Sequence, residues 1–317
     1  MSARRICEVV AFAVASALVS AAHVNAQDLA HPPIAASTQE AKSDPIARMS
    51  ADPTVPLLET GFHRLYELNF LGARKDFANY QRQFPDDPLG KVAEAASYLF
   101  EEFNDKGVLT SEFFLNDSRF LGGIEGSSAE NDGAFLKAIH HARELAKKRV
   151  KSEPHDVQGL LVLTIADGLE SAYDALVEKK HFAAIKLMHS ADNGANATLA
   201  VDPLAQDAYV ALGISNYAIG CLPAYKRAFL WMGGVHGDRN RGLVQMQSAA
   251  EHGHYLRPFA RITLALAYER EGQLDNARHL LSELATEFPA NPIFSRELEL
   301  LDRKLYRQGE QKQKGER

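Results

Sequence analysis

Three groups of residues in this sequence have side chains suited to metal binding or to acid–base work. His140, His141 and Glu144 form one, Glu251, His252 and His254 a second, and Asp167, Glu170 and Asp174 a third, with Asp238, Arg239 and Arg241 as a further charged run. A protein-bound metal needs three or four donors converging on one point. Adjacent helical residues diverge by about 100°, so His140 and His141 cannot share an ion. His140 and Glu144, one turn apart, offer two donors and no third. Both histidine groups are therefore expected at the surface or at helix ends, and no metal or cofactor is assigned. Asp167, Glu170 and Asp174 follow one another along one helix, whereas an Asp such as Asp238 at a helix start ordinarily caps it. The chain contains no G-x-S-x-G elbow, H-E-x-x-H helix, phosphate-binding loop or C-x-x-C pair, the local patterns that mark common catalytic sites. The expectation is a protein that is not an enzyme. An envelope hydrolase or lyase on a helical scaffold, with Asp174 or Asp238 in a polar cleft, is the alternative.

The elements that would position these residues follow from composition and spacing. With 317 residues, 46% of them hydrophobic, the chain can bury a large core, and its Ala, Leu and Glu suit helices. The formal charge of −6 disfavours nonspecific nucleic-acid binding, which needs clustered Lys and Arg against phosphate, so no nucleic-acid partner is expected. Cys7 and Cys221 are the two cysteines.

Arg4 and Arg5 precede the apolar stretch from Val9 to Val19, and Val24-Asn25-Ala26 follows before Gln27. This is the basic, apolar and small-residue order of a secretory signal peptide with cleavage near Ala26, and the apolar run is short of the roughly 20 residues that cross a bilayer. Cys7 then lies in the removed segment, one thiol remains, and the expected location is periplasmic or extracellular. Residues 27–54, with Pro32, Pro33, Pro45 and Pro53 among Ser, Thr, Gln and Ala, predict a disordered leader.

From residue 55 onward the sequence repeats itself. Leu264-Ala265, Tyr268, Ala277, Leu281, Leu284 and Pro289 form one unit, and Gly61, Ala73, Phe77, Tyr80 and Pro85 another in the same frame. Ala191, Ala195, Pro203, Tyr209 and Leu212-Gly213 supply the frame between them. Small residues where two helices cross let the backbones approach, large ones fill the gaps, and proline punctuates the turn to the next pair. Over residues 55–292 the chain resembles the tetratricopeptide repeat family, and exported bacterial members of it that carry no assigned activity. The resemblance implies an all-α, right-handed solenoid of helix pairs A and B with a concave groove, and a protein-binding or scaffold role with a protein or peptide partner. Two departures stand out: His254 occupies the expected proline position of the fourth unit, and Gly242 with Met246 replace the commoner Ala and Phe.

The repeat is not regular. Ala73, Ala142, Ala191, Gly242 and Ala277 mark one position in successive units, spaced 69, 49, 51 and 35 residues apart. Against a period of about 34, the second, third and fourth units carry extra residues, and the preserved frames before and after assign each excess to the junction between helices A and B. Five units are expected, or six if residues 104–132 hide a degenerate repeat. In a solenoid such junctions share one edge, so three neighbouring insertions should form one surface, and insertions of this kind often mark the binding face. The candidate partner-binding residues lie there: Phe113 and Phe114 in the first, Tyr173 and Asp174 in the second, and Tyr225, Lys226, Arg227, Phe229, Trp231, Asp238 and Arg239 in the third. Leu222, Tyr225, Phe229 and Met232 with Trp231 form an apolar stripe flanked by basic residues. Packing back onto the solenoid is the first expectation for it, with a docking helix or weak membrane-surface contact, as in a membrane-associated adaptor, as alternatives.

The resemblance places Leu58, Phe62, Leu65, Val92, Ala96, Leu99, Leu161, Ile165, Val210, Ile214, Tyr217, Ile262 and Leu266 along the concave groove. That row is apolar and lacks the Lys, Arg and Asn that would meet a terminal carboxylate. A row of this kind calls for a cover, for which the insertions are the first candidate and an apolar ligand the second. Leu298, Leu301 and Leu305 among charged residues predict a capping helix over 293–308, followed by a polar tail to 317.

Overall fold

The computed structural model describes residues 55–232 and 234–315, so the signal-peptide and leader expectations fall outside the described residues. Among the described residues there are fourteen α-helices and no strand. The first pair is α1 (Val55–Tyr66) and α2 (Phe70–Gln83). The second is α3 (Leu89–Asp105) and α6 (Ala129–Ser152), with the short helices α4 (Ser111–Leu115) and α5 (Asp117–Gly122) between them. Then come α7 (Val157–Leu176) with α8 (His181–Val201), and α9 (Tyr209–Gly220) with α11 (Arg239–His252), the latter pair separated by α10 (Ala224–Met232). The last pair is α12 (Arg257–Arg270) and α13 (Leu274–Glu287), followed by α14 (Pro292–Gly315). Each helix packs chiefly on its chain neighbours, the arrangement of an α-solenoid.

The pairs form where the small residues allow it. Ala73, Ala142 and Ala277 are wholly buried, and a Cβ on Gly61 would meet the Phe77 ring at 2.4 Å. Side chains start several helices: Asn69, Asp156 and Asp238 accept the backbone N–H three residues on, satisfying donors that the first turn leaves unpaired. In the turns between pairs, Asp87 and Asn291 accept from the N–H two residues later at 2.8 and 2.9 Å.

Both departures from the repeat have physical causes. His254 donates its backbone N–H to Asp207 Oδ1 at 2.7 Å, a bond that proline has no hydrogen to make. At the α9–α11 crossing, a Cβ on Gly242 would lie 2.4 Å from the Tyr217 backbone nitrogen, and one on Gly213 would lie 2.9 Å from that of Met246. The two backbones touch, so the alanine commoner at that position does not fit.

The segment between α3 and α6 is not another helix pair. Its two helices have five and six residues, and buried Glu102 ties its far end down by accepting from the Ser128 N–H at 3.0 Å and Asn131 Nδ2 at 3.3 Å. The extra length of the third unit lies in its helices, α7 and α8 having 20 and 21 residues.

Candidate functional site

The concave row is covered by the chain itself. Leu58, Phe62, Leu65, Val92, Ala96, Leu99 and Val210 are buried, and the remaining positions of the row are half-buried. Two parts of the chain provide the cover. The first insertion does so as expected: Phe113 is buried, Ser111 Oγ donates to Glu297 Oε2 of α14 at 2.5 Å, and Arg270 of α12 donates to the Phe114 carbonyl at 2.8 Å. The other part was not visible in the sequence, because the solenoid curls until its ends meet. Phe62 stacks on Tyr255 with centroids 4.7 Å apart, Phe100 packs on Phe259, and Tyr66 and His63 pack on Phe288. Tyr66 Oη donates to the Tyr255 carbonyl at 2.9 Å, and buried Asn291 donates to the Tyr66 carbonyl at 2.7 Å. One continuous apolar cluster therefore runs from the first pair to α14.

Asp207 organises this closure. It lies in the turn before α9 and accepts the N–H groups of His254, Tyr255 and Leu256 at 2.7, 3.0 and 3.2 Å. Its carboxylate holds the loop from which Tyr255 reaches Phe62. Burial pushes the Asp207 carboxyl up against those three donors, and burial, followed by the Asp207 charge, raises the Tyr66 phenol. His254 of the same loop faces Glu59 of α1 at 3.4 Å.

The first insertion adjoins the second, and the third packs on the helix that follows the second. The Ile124 N–H donates to the Leu176 carbonyl at the end of α7 at 2.8 Å, joining the first insertion to the third pair. Met188 of α8 packs against Ile219, Leu222 and Leu230, joining that pair to α10. The candidate residues divide between the interior and this surface. Phe113 and Tyr173 are buried and Phe114 is half-buried, so their rings are packing elements, Tyr173 lying against Phe135. Lys226 is buried too. Tyr225 and Trp231 are each 65% exposed, and Arg227, Asp238 and Arg239 are exposed with them. The side chain of Phe229 lies outside the described residues. The α10 stripe thus packs only half of itself inward.

The acidic residues are engaged in the structure. Arg143 Nη2 meets Asp167 Oδ1 at 2.6 Å and its Nη1 meets Glu170 Oε2, and Ser190 donates to the second Asp167 oxygen at 2.6 Å. Burial opposes the Arg143 charge, but these two carboxylates outweigh it and raise its pKa. Burial, with Glu170 adding to it, raises the carboxyl of half-buried Asp174. Asp238 caps α11, accepting from the Arg241 N–H at 2.8 Å. Together with Gly220, Arg227, Arg239 and Asn240 it lines a polar cleft of about 280 Å³. His140 and Glu144 are exposed and 3.7 Å apart, and His254 pairs with Glu59 and not with His252. No cluster of three potential metal ligands occurs among the described residues.

Sequence reasoning missed the pairing of buried Ser215 with half-buried Asp192. Ser215 of α9 donates to Asp192 Oδ2 of α8 at 2.6 Å, while the Asp192 Oδ1 atom is buried without a hydrogen-bond partner among the described residues. Burial pushes this carboxyl up to about 6. The two residues are 23 apart in the chain, and no local motif joins them.

Comparison with known proteins adds a structural likeness. No family model and no curated protein matches the chain. Among solved structures it is similar to a thermophilic tetratricopeptide repeat protein of Thermus thermophilus, at 16% identity and a TM-score of 0.43, over 78% of this chain and 98% of that one. The fold is a tetratricopeptide-type solenoid. It is built by the helix pairs, their small-residue crossings and the order in which the pairs stack. No helix among the described residues is long and apolar enough to cross a membrane.

Proposed function

We propose that this protein is an exported, non-catalytic scaffold that holds a protein partner along the edge built by its insertions. One observation carries the proposal. The concave groove, the usual binding surface of such a solenoid, is occupied by contacts between the first and last helix pairs and by the first insertion, whereas the third insertion leaves Tyr225, Arg227 and Trp231 exposed. An apolar trough consumed internally cannot also receive a ligand, so recognition moves to the edge. The carboxylates singled out from the sequence support the same view, since Asp167 and Glu170 neutralise Arg143 and Asp238 caps a helix. The signal-like N-terminal pattern supports export.

The test is site-specific photocrosslinking in envelope extracts. A crosslinking side chain at exposed Arg119 or Lys179 reports on the insertion edge, and one at exposed Glu153 or Leu204 on the opposite edge. A discrete adduct from the first two positions and none from the second two is expected. Equal labelling from both edges, or adducts from the opposite edge alone, overturns the proposal.

A further inference from the structure

Helix α10 is built inside out. On a helical projection Ala224, Tyr225, Ala228, Trp231 and Met232 fall within an arc of about 120°, and all five are exposed, Trp231 by 65% and Met232 by 78%. The opposite side turns inward and buries Lys226 beside Leu230. A surface helix ordinarily shows its charges to water and its apolar face to the core. Here a lysine is inside and five apolar residues face out, so the outward face is left largely uncovered by the described residues, with the His236 ring near the Trp231 indole at 6.3 Å between centroids.

Charge and shape identify the occupant. Residues 221–241 hold Lys226, Arg227, Arg239 and Arg241 against Asp238 alone, a net +3 in a chain of −6. Arg227, Arg239 and Arg241 are exposed, and among the described residues Glu271 is the one acidic side chain paired with them, 3.2 Å from Arg239. The exposed face belongs to a single helix and so has the convex form of a cylinder's side, and the cleft beside it is lined by polar groups. A peptide ligand needs an apolar groove to enter, whereas a bilayer surface accepts a convex helix. Trp and Tyr are the residues that favour the boundary between headgroups and acyl chains, and flanking arginines meet anionic headgroups. We infer that the outward face of α10, rimmed by Arg227 and Arg239, docks on an anionic lipid surface. The rest of the acidic chain is repelled by such a surface, which orients the molecule with α10 down. This goes beyond the scaffold assignment and does not depend on it.

Trp231 is the only tryptophan, so the emission of the purified chain reports on this face directly. Vesicles of equal parts phosphatidylglycerol and phosphatidylcholine should shift its emission to the blue and carry the protein down on sedimentation, whereas phosphatidylcholine alone should do neither. Arg227→Gln should weaken binding about fivefold, as loss of one basic charge near an anionic bilayer does. Trp231→Ala should weaken co-sedimentation more, and Tyr306→Ala, an exposed aromatic on α14, should leave it unchanged. Circular dichroism confirms that each variant is folded. Absence of binding to the anionic vesicles at low salt overturns the inference, and so does equal binding to neutral ones. A blue shift that grows with protein concentration without vesicles, accompanied by dimer formation, assigns the face to a second copy and also overturns it.

Discussion

Replacing Asp192 with asparagine should stabilise this protein, and only above mildly acidic pH. In the native state Asp192 Oδ2 accepts from Ser215 at 2.6 Å, but Oδ1 is buried with no partner among the described residues, so the ionised carboxylate is poorly compensated. Burial therefore lifts its pKa from 3.8 to about 6. Because the folded value lies above the unfolded one, the native state binds more protons between about pH 4 and pH 6, and stability falls as pH rises through that window, levelling off above it. A shift of about two units corresponds to roughly 3 kcal/mol at most. The side chain keeps some solvent contact, and halving for screening leaves about 1.5 kcal/mol. Asparagine keeps an acceptor for Ser215 and carries no charge. Thermal melts of both proteins near pH 8 should show Asp192→Asn about 3–6 °C more stable, at roughly 2–4 °C per kcal/mol for a fold of this size. Near pH 4.5 most of that difference should vanish. A variant that is equally or less stable at both pH values would show that the buried charge costs nothing here and refute the reasoning.

Three further outcomes test the closure and the crossings. Tyr255→Ala removes the ring stacked on Phe62 and should cost about 2–4 kcal/mol, measured by urea unfolding, with new binding of an apolar dye as the concave row opens; unchanged dye binding would mean that the remaining contacts suffice to seal it. His254→Pro deletes the N–H that Asp207 accepts and should lower stability by about 1–3 kcal/mol, despite restoring the residue usual at that position of the repeat. Gly242→Ala forces α9 away from α11, since its Cβ has 2.4 Å to the Tyr217 nitrogen, and should cost about 1–3 kcal/mol as overpacking does, visible as a lowered melting temperature with circular dichroism intact.

The closed groove also explains a combination that looks contradictory in the sequence. An apolar row along helices A costs about 25 cal/mol per Å² while it faces water, and no donor in it suits a peptide terminus. Phe62, Phe100 and Tyr66 resolve this by packing against Tyr255, Phe259 and Phe288 from the far end of the chain. The same contacts leave the insertion edge, with α10 on it, as the exposed irregular surface.

The helix pairs were legible because their causes are local. Ala73, Ala142 and Ala277 had to be small where helices cross, Asp238 had to cap, and the spacing of the small residues assigned the extra length to particular units. The frame placed Tyr225, Arg227 and Trp231 in the third insertion, where packing back onto the solenoid is the first expectation for the stripe; Leu222 does pack inward, whereas the Tyr225 and Trp231 rings are exposed. Phe113, Phe114 and Tyr173 were read as partner-binding and turned out to be packing residues, because an aromatic residue at helical spacing looks the same in sequence whether its neighbour is the chain itself or another molecule. The meeting of Tyr66 with Tyr255 and Asn291, residues separated by 189 and 225 positions, depends on the summed small rotations between successive pairs. No single residue encodes that sum, so the repeat was determined by the sequence, while the closure of the groove was decided by the tertiary structure alone.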